Sequence, residues 1–224
     1  MTAPSPASHL SITPTSLYVG TPVMLLASLN ADGTPNLAPA SSYWALGRMA
    51  VIGLEDGGHT LANLQERPDL TINFPSPMLW EHVERLAQTT GADPVPEDKR
   101  EAYRTHRDKF AAADLTPQDS VEVGVPRVLE CELQLEAWVR RVTPGLKGYH
   151  IVEAEVVQVH AAPRVVVPGT QHVDPAAWDP TVYVFRHYVA LGETKGRRPK
   201  SDVPGAAAHR PSAQYPGAGY PPAS

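Results

Sequence analysis

The stretch that most restricts the fold is residues 21–44, TPVMLLASLNADGTPNLAPASSYW. Two extended runs flank Asn30-Ala31-Asp32-Gly33-Thr34, and Asp32-Gly33 supplies a residue that tolerates positive φ between them. The run over residues 17–29 carries Val, Leu and Met on both faces and predicts a strand, with Thr21-Pro22 bending its start. Residues 35–42 predict the returning strand. Pro35 and Pro39 cannot donate to a ladder, so that strand lies at an edge or is interrupted.

The remaining chain continues in the same style. Residues 49–54 form an apolar strand, and residues 60–67 a short helix that Pro68 stops. Residues 70–74 predict a further strand. Ser76-Pro77 opens a helix whose Leu79, Val83 and Leu86 make one apolar stripe. A loop over residues 91–96 precedes a charged helix, or helix and loop, over residues 97–113. Between residues 128 and 139, Cys131, Leu133, Leu135, Ala137 and Val139 alternate with Glu132, Gln134, Glu136 and Trp138, the pattern of a half-buried antiparallel strand. Gly145 and Gly148 turn the chain into a returning strand over residues 149–159. A loop over residues 165–180 leads to a last strand over residues 181–191. Strands with short helical insertions, and no repeating strand–helix unit, predict a mostly β antiparallel barrel with helical decoration.

Residues 1–12 are small and polar and predict a loose arm. Residues 13–194 predict one domain. Residues 195–224 hold six prolines and four glycines with almost no aliphatic side chains, which predicts a disordered tail. Its basic start, Lys195, Arg197, Arg198 and Lys200, reads as a solvated cluster. The formal net charge of −5 argues against nucleic acid as a partner. No segment has the length of apolar residues that crosses a bilayer, and the N-terminus lacks the pattern of a secretory signal. A single cysteine, Cys131, forms no internal disulfide, which suits a cytoplasmic, reducing setting.

Most familiar chemistries lack their residues. The chain has no G-x-G-x-x-G or Walker loop, and Glu81-His82 has no second histidine one turn on. No serine occupies a G-x-S-x-G elbow. His150, His160 and His172 are too dispersed to predict a shared metal. What remains is a set suited to a flat, phosphorylated cofactor. Thr60 and Asn63 lie one turn apart at a helix start, and Gly57 and Gly58 before them let backbone amides approach an anion. Ser41 and Ser42 end a strand where hydroxyls and amides reach a ring edge. Each also has a plainer reading: Thr60 as a cap, Asn63 as a solvated helix residue, the serines as strand ends.

Taken together and in order, SLNADGTPNLAPASSYW, HTLANL, INFPS, DKFAAADLTP and HYVALGE resemble the flavin reductase-like family over about residues 16–193. The resemblance implies an FMN-binding split β-barrel and a homodimer with flavin near the interface. It also implies NADH or NADPH acting directly on the flavin, FMN or FAD, with a monooxygenase as a partner for reduced flavin. Carried over by position, Ser41, Ser42 and the backbone of Tyr43 line the ring edge. Gly58, His59, Thr60 and Asn63 serve the phosphate and ribityl side, and Lys109 neutralises phosphate or touches the nicotinamide. His187 lies at a position near the nicotinamide in relatives and is the one catalytic candidate. Many relatives carry Lys-Asp where this chain has Gly58-His59. A charge-assisted bond contributes about 1–3 kcal/mol, so its loss predicts loose flavin unless His59, Lys109 or an arginine from a partner chain compensates. An electron carrier without NAD(P)H turnover is the rival reading. A pyridoxamine oxidase-like or haem-related barrel is a third.

Overall fold

The computed structural model describes residues 9–95, 97 and 100–196. Most of the expected arm, and the tail from residue 197, lie outside the described residues.

The first strands are β1 (Val19–Pro22), β2 (Met24–Leu29), β3 (Pro35–Ala40), β4 (Tyr43–Leu46) and β5 (Met49–Glu55). Helix α1 (His59–Glu66), β6 (Asp69–Phe74) and helix α2 (Trp80–Ala87) follow. An excursion then carries β7 (Thr89–Thr90), β8 (Arg104–Thr105), helix α3 (Lys109–Ala113), β9 (Pro117–Gln118) and β10 (Arg127–Val128). The last elements are β11 (Leu133–Pro144), β12 (Tyr149–Ala161), β13 (Val182–Val184) and β14 (His187–Val189).

Seven strands form one sheet in the order β3-β2-β6-β11-β12-β5-β4. Flat, its edges would stand about 29 Å apart, six spacings of about 4.8 Å. Yet β3 and β4 are joined by only Ser41 and Ser42, and three Cα steps reach at most about 11 Å. The sheet must therefore curl until its edges meet. Bulges in β11 between Glu136 and Ala137 and between Val139 and Arg141 help it bend. No ladder joins β3 to β4 among the described residues, so the barrel remains open at that seam. This is the expected split barrel.

Two apolar clusters account for the sequence pattern. Met24, Leu26, Ile72, Val152 and Ala154 pack inside the curled sheet, with Leu61 and Leu64 of α1 plugging one side. Val23, Leu25, Ala27 and Leu37 face the opposite way, against Val83 and Leu86 of α2 and Phe110 of α3. A strand buried on both faces is why β2 is apolar without alternation. The hairpin after it closes as expected, with Gly33 at φ +82° and Asp32 Oδ1 accepting from the Thr34 amide at 3.0 Å. β3, with its two prolines, is an edge strand.

Several expectations need correction. Of the charged helix, or helix and loop, expected over residues 97–113, the described residues form an α-helix only at Lys109–Ala113, where Asp108 caps it by accepting from the Ala111 amide at 2.9 Å. The preceding stretch has almost no apolar face to bury, and a helix polar all round gains little from packing. Residues 17–29 make two strands, because β1 leaves to pair with β13. Likewise residues 181–191 make two short strands, joined at Phe185 and Arg186 with φ of +43° and +70°. Ser76-Pro77 leads into a 3-10 turn, Pro77–Leu79, before α2 begins.

The polar face of β11 is also not solvent-facing. Glu136 is fully buried and accepts from the successive amides of Val121 (2.9 Å), Glu122 (2.6 Å) and Val123 (3.2 Å). His160 Nε2 lies 2.6 Å from the same carboxylate, and Arg127 Nε 3.6 Å. Alternation showed the two faces; it gave no sign that the residue 119–128 loop folds back over one of them.

Candidate functional site

A cleft of about 430 Å³ opens at the seam. Its floor and sides come from both edges of the split: Asn36, Ala38 and Ala40 on β3, Ser41 and Ser42 in the link, and Gly53, Leu54 and Glu55 on β5. The start of α1 (Gly58, His59, Thr60) closes one end together with Lys109 of α3 and Thr89–Gly91. Tyr18, just before β1, and Tyr183 and Tyr188 of β13 and β14 form an aromatic wall with ring centroids 5.4 Å apart at each step.

The end at α1 gathers positive character. The helix begins after Gly58, which has no side chain to cap it, and its first turn holds no acidic residue. First-turn amides have no intrahelical acceptor, so such a start attracts anions. Lys109 is 2% exposed. Its Nζ donates to the carbonyls of Thr89 (3.1 Å) and Leu37 (3.4 Å), and no carboxylate pairs with it among the described residues. Burial pulls its ammonium pKa down to about 8. His59 is held below its ordinary value, first by burial and then by the charges of Lys109 and Arg67. A cluster of cations without a counter-ion is electrostatically unfavourable alone, and an arriving anion relieves it.

Asn36 adds a second unmet requirement. It is 1% exposed and its Nδ2 donates to Ser28 Oγ (3.3 Å) and Thr60 Oγ1 (3.1 Å). Its Oδ1 has no partner. A buried acceptor left unpaired costs about 1–3 kcal/mol, which a ligand hydroxyl would recover.

The structure sorts the residues singled out from sequence. Ser41, Ser42, Gly58, His59, Thr60 and Lys109 all line this one cleft. Ser42 Oγ donates to Tyr18 Oη at 3.3 Å. The ring of Tyr43 turns away into the core, edge-on to Phe74 at 5.5 Å, so only its backbone stays by the seam. Asn63 is 3% exposed and braces α1 against the β2–β3 hairpin. Its Nδ2 donates to Ser28 Oγ (3.2 Å) and Asn30 Oδ1 (3.1 Å), and its Oδ1 accepts from Arg67 (3.2 Å). His187 is exposed on β14 with Nδ1 3.0 Å from the Phe185 carbonyl, outside the cleft lining. Its neighbour Tyr188 is the one that lines the cleft. Sequence reasoning missed Asn36, although strand parity places it on the face of Ala38 and Ala40. It also missed the tyrosine wall, which no local pattern announces.

The match to known proteins agrees with this geometry. The Flavin reductase like domain family matches residues 16–192, most of the chain. The chain belongs to that family. It is 38% identical over 195 residues to the protein YdfE of Bacillus subtilis (strain 168), spanning 86% of this chain and 94% of that one. Among solved structures it resembles flavoredoxin of Desulfovibrio vulgaris (Miyazaki F), with TM-score 0.72 and 21% identity over 87% of this chain and 99% of that chain. It also resembles nitrilotriacetate monooxygenase component B from Bacillus cereus, with TM-score 0.67 and 18% identity over 84% and 98% of the two chains. At such identities the two structures speak for the shared split-barrel fold. No helix among the described residues is long and apolar enough to cross a membrane.

Proposed function

We propose that the protein holds FMN in the cleft at the seam and reduces it with NADH or NADPH. The observation that carries the reading is the buried, uncountered Lys109 ammonium facing the cleft beside the uncapped start of α1. A phosphate-bearing ligand satisfies both, and the family makes a flavin the natural one. When bound, the flavin supplies the hydride-accepting chemistry.

The residues of the chain then have distinct tasks. Lys109, His59 and the first amides of α1 carry the phosphate charge, with Thr60 Oγ1 beside them. The Oδ1 of Asn36 accepts from a ribityl hydroxyl. Ser41, Ser42 and the Tyr43 backbone lie along the ring edge, and the tyrosine wall excludes water from the far side. None of them has to act as an acid or base in hydride transfer, where orienting the two rings is the main contribution. The exposed Trp44 and Leu46 of β4 and Tyr149 and Ile151 of β12 lie on either side of β5, near the seam. We take them as the face that a second copy covers in a homodimer.

A structural neighbour's name, a monooxygenase component B, supports delivery of reduced flavin to an oxygenase. Another neighbour is a flavoredoxin, which supports the second reading, a flavin-holding electron carrier without NAD(P)H turnover. Absorbance of the purified protein with FMN, before and after anaerobic NADH and NADPH, separates them. Bleaching of the bound flavin bands supports the reductase. Stable bands with both donors move the assignment to the carrier, and absence of flavin uptake removes both.

A further inference from the structure

Gly58-His59 stands where many relatives of the resembled family have Lys-Asp, and the structure shows how the His59 ring is set. Asp32 Oδ1 accepts from Thr34 Oγ1 at 2.6 Å, so the Thr34 hydroxyl has spent its proton. Thr34 Oγ1 must then accept from Asn30 Nδ2, 3.0 Å away. This fixes the Asn30 amide with Oδ1 turned toward α1, where Asn63 Nδ2 donates to it at 3.1 Å. His59 Nε2 lies 2.8 Å from that same carbonyl oxygen, so Nε2 carries the hydrogen. The neutral ring therefore keeps its lone pair on Nδ1.

Packing keeps the ring in place. A Cβ on Gly91 would lie 2.3 Å from His59 Cδ2 and 2.6 Å from Nε2, so the loop after β7 backs directly onto the Cδ2–Nε2 edge. Nδ1 is on the other side of the ring. The charged and titratable groups around it are Lys109 from α3, Arg67 from the end of α1, Glu55 and Tyr103 along the cleft, and Asp32, which is engaged within its own turn. No carboxylate pairs with His59 among the described residues.

We propose that Nδ1 of His59 is the proton-accepting contact for a terminal phosphate, so that a phosphorylated ligand binds together with a proton, and that the Asp32–Thr34–Asn30 relay keeps that nitrogen available. The proton comes from solvent or from the phosphate's own hydroxyl, and the ring gains an Nδ1–H bond while Nε2–H stays on Asn30. The identity of the ligand as FMN rests on the function proposed above; the proton-coupled anion subsite does not. The coupling also gives the cleft a basis for preferring a phosphomonoester over unphosphorylated riboflavin. Phosphate loses its second proton near pH about 6. Between the His59 titration points of the free protein and of the complex, affinity for FMN falls by up to about tenfold per pH unit and levels off above the latter, whereas riboflavin binding stays flat.

The test is an imidazole-nitrogen NMR titration of the full chain, with the His59 signal assigned by His59→Asn. Spectra are taken alone, with inorganic phosphate, with FMN and with riboflavin. The expected result is an Nε2–H tautomer in the free protein and a His59 midpoint raised by one pH unit or more by FMN and by phosphate, but not by riboflavin. Thr34→Val, outside the cleft, should yield a mixture of tautomers. FMN bound with an unmoved His59 midpoint overturns the inference and leaves the flavin reading standing. Phosphate raising the midpoint with no FMN binding upholds the subsite and removes the flavin reading. A free protein already protonated on Nδ1 at neutral pH overturns the inference.

Discussion

Replacing Lys109 with methionine separates a ligand-binding ammonium from a structural one, because the two roles predict opposite signs. In the unliganded protein the charged side chain is 2% exposed and has only two carbonyls as partners. The fall of its pKa from 10.5 to about 8 is worth about 3 kcal/mol against the charged form. The sign follows from linkage: the folded pKa lies below the unfolded one, so at neutral pH the fold carries the full penalty. Stability then rises with pH between about 8 and about 10.4 as the unfolded chain binds more protons. Methionine fills the same space without the charge but leaves the Thr89 and Leu37 carbonyls short of a donor, which returns about 1–3 kcal/mol. The net expectation is about 1 kcal/mol of added stability, or a rise in Tm of about 2–4 °C for a chain of this size. FMN affinity should fall about 10- to 100-fold through loss of a charge-assisted bond. The assay is thermal unfolding of both proteins with and without FMN, at neutral pH and again near pH 9.5. Lys109→Met with a lower apo Tm and unchanged FMN affinity would refute the reasoning, since the ammonium would then be a structural staple.

Three further outcomes are expected. Asn63→Ala removes the brace between α1 and the hairpin, so urea unfolding should show a loss of about 1–3 kcal/mol with a much smaller change in FMN affinity. Gly91→Ala forces the His59 ring to shift, since its Cβ would sit 2.3 Å from Cδ2; fluorescence titration should show FMN binding weakened severalfold while the apo Tm changes little. Glu136 has its pKa lowered: burial opposes this, but the amides of Val121 and Glu122 and the His160 partner outweigh it. Its stabilisation is therefore fully present above the unfolded carboxyl value of about 4.3 and lost as pH falls through the depressed folded value. Glu136→Gln should flatten that part of the acid-unfolding curve, and an unchanged curve would count against the amide cradle.

What could be read from the chain itself divides along physical lines. The hairpin at Asp32-Gly33, the edge strand carrying Pro35 and Pro39 and the helix stopped by Pro68 are consequences of backbone restrictions that act within a few residues, so they were legible. The split-barrel family was legible because several such segments occur in one order. The turn at Phe185 and Arg186 was not, because neither residue ordinarily favours positive φ and tertiary pairing with β1 holds the hairpin there. The burial of Glu136 was hidden for a related reason: a carboxylate on the polar side of an alternating strand reads as solvated until a distant loop supplies three amides.

The cleft shows the same division at finer scale. Ser41, Ser42, His59, Thr60 and Lys109 come from three parts of the chain, and they meet because the two-residue link between β3 and β4 forces the sheet edges together. A longer link would let the sheet flatten and the site disperse, so the two serines shape the cleft through the shortness of their segment as much as through their hydroxyls. Inserting Gly-Gly between Ser41 and Ser42 tests this directly, because it lengthens the link by about 7 Å while keeping every side chain of the site. The seven-stranded ladder should survive, with an unchanged far-ultraviolet circular dichroism spectrum. FMN affinity should fall by more than tenfold, because both sides of the cleft lose their fixed separation. Retained affinity in the insertion variant would mean that α1 and Lys109 alone hold the ligand and that the seam contributes no more than a boundary.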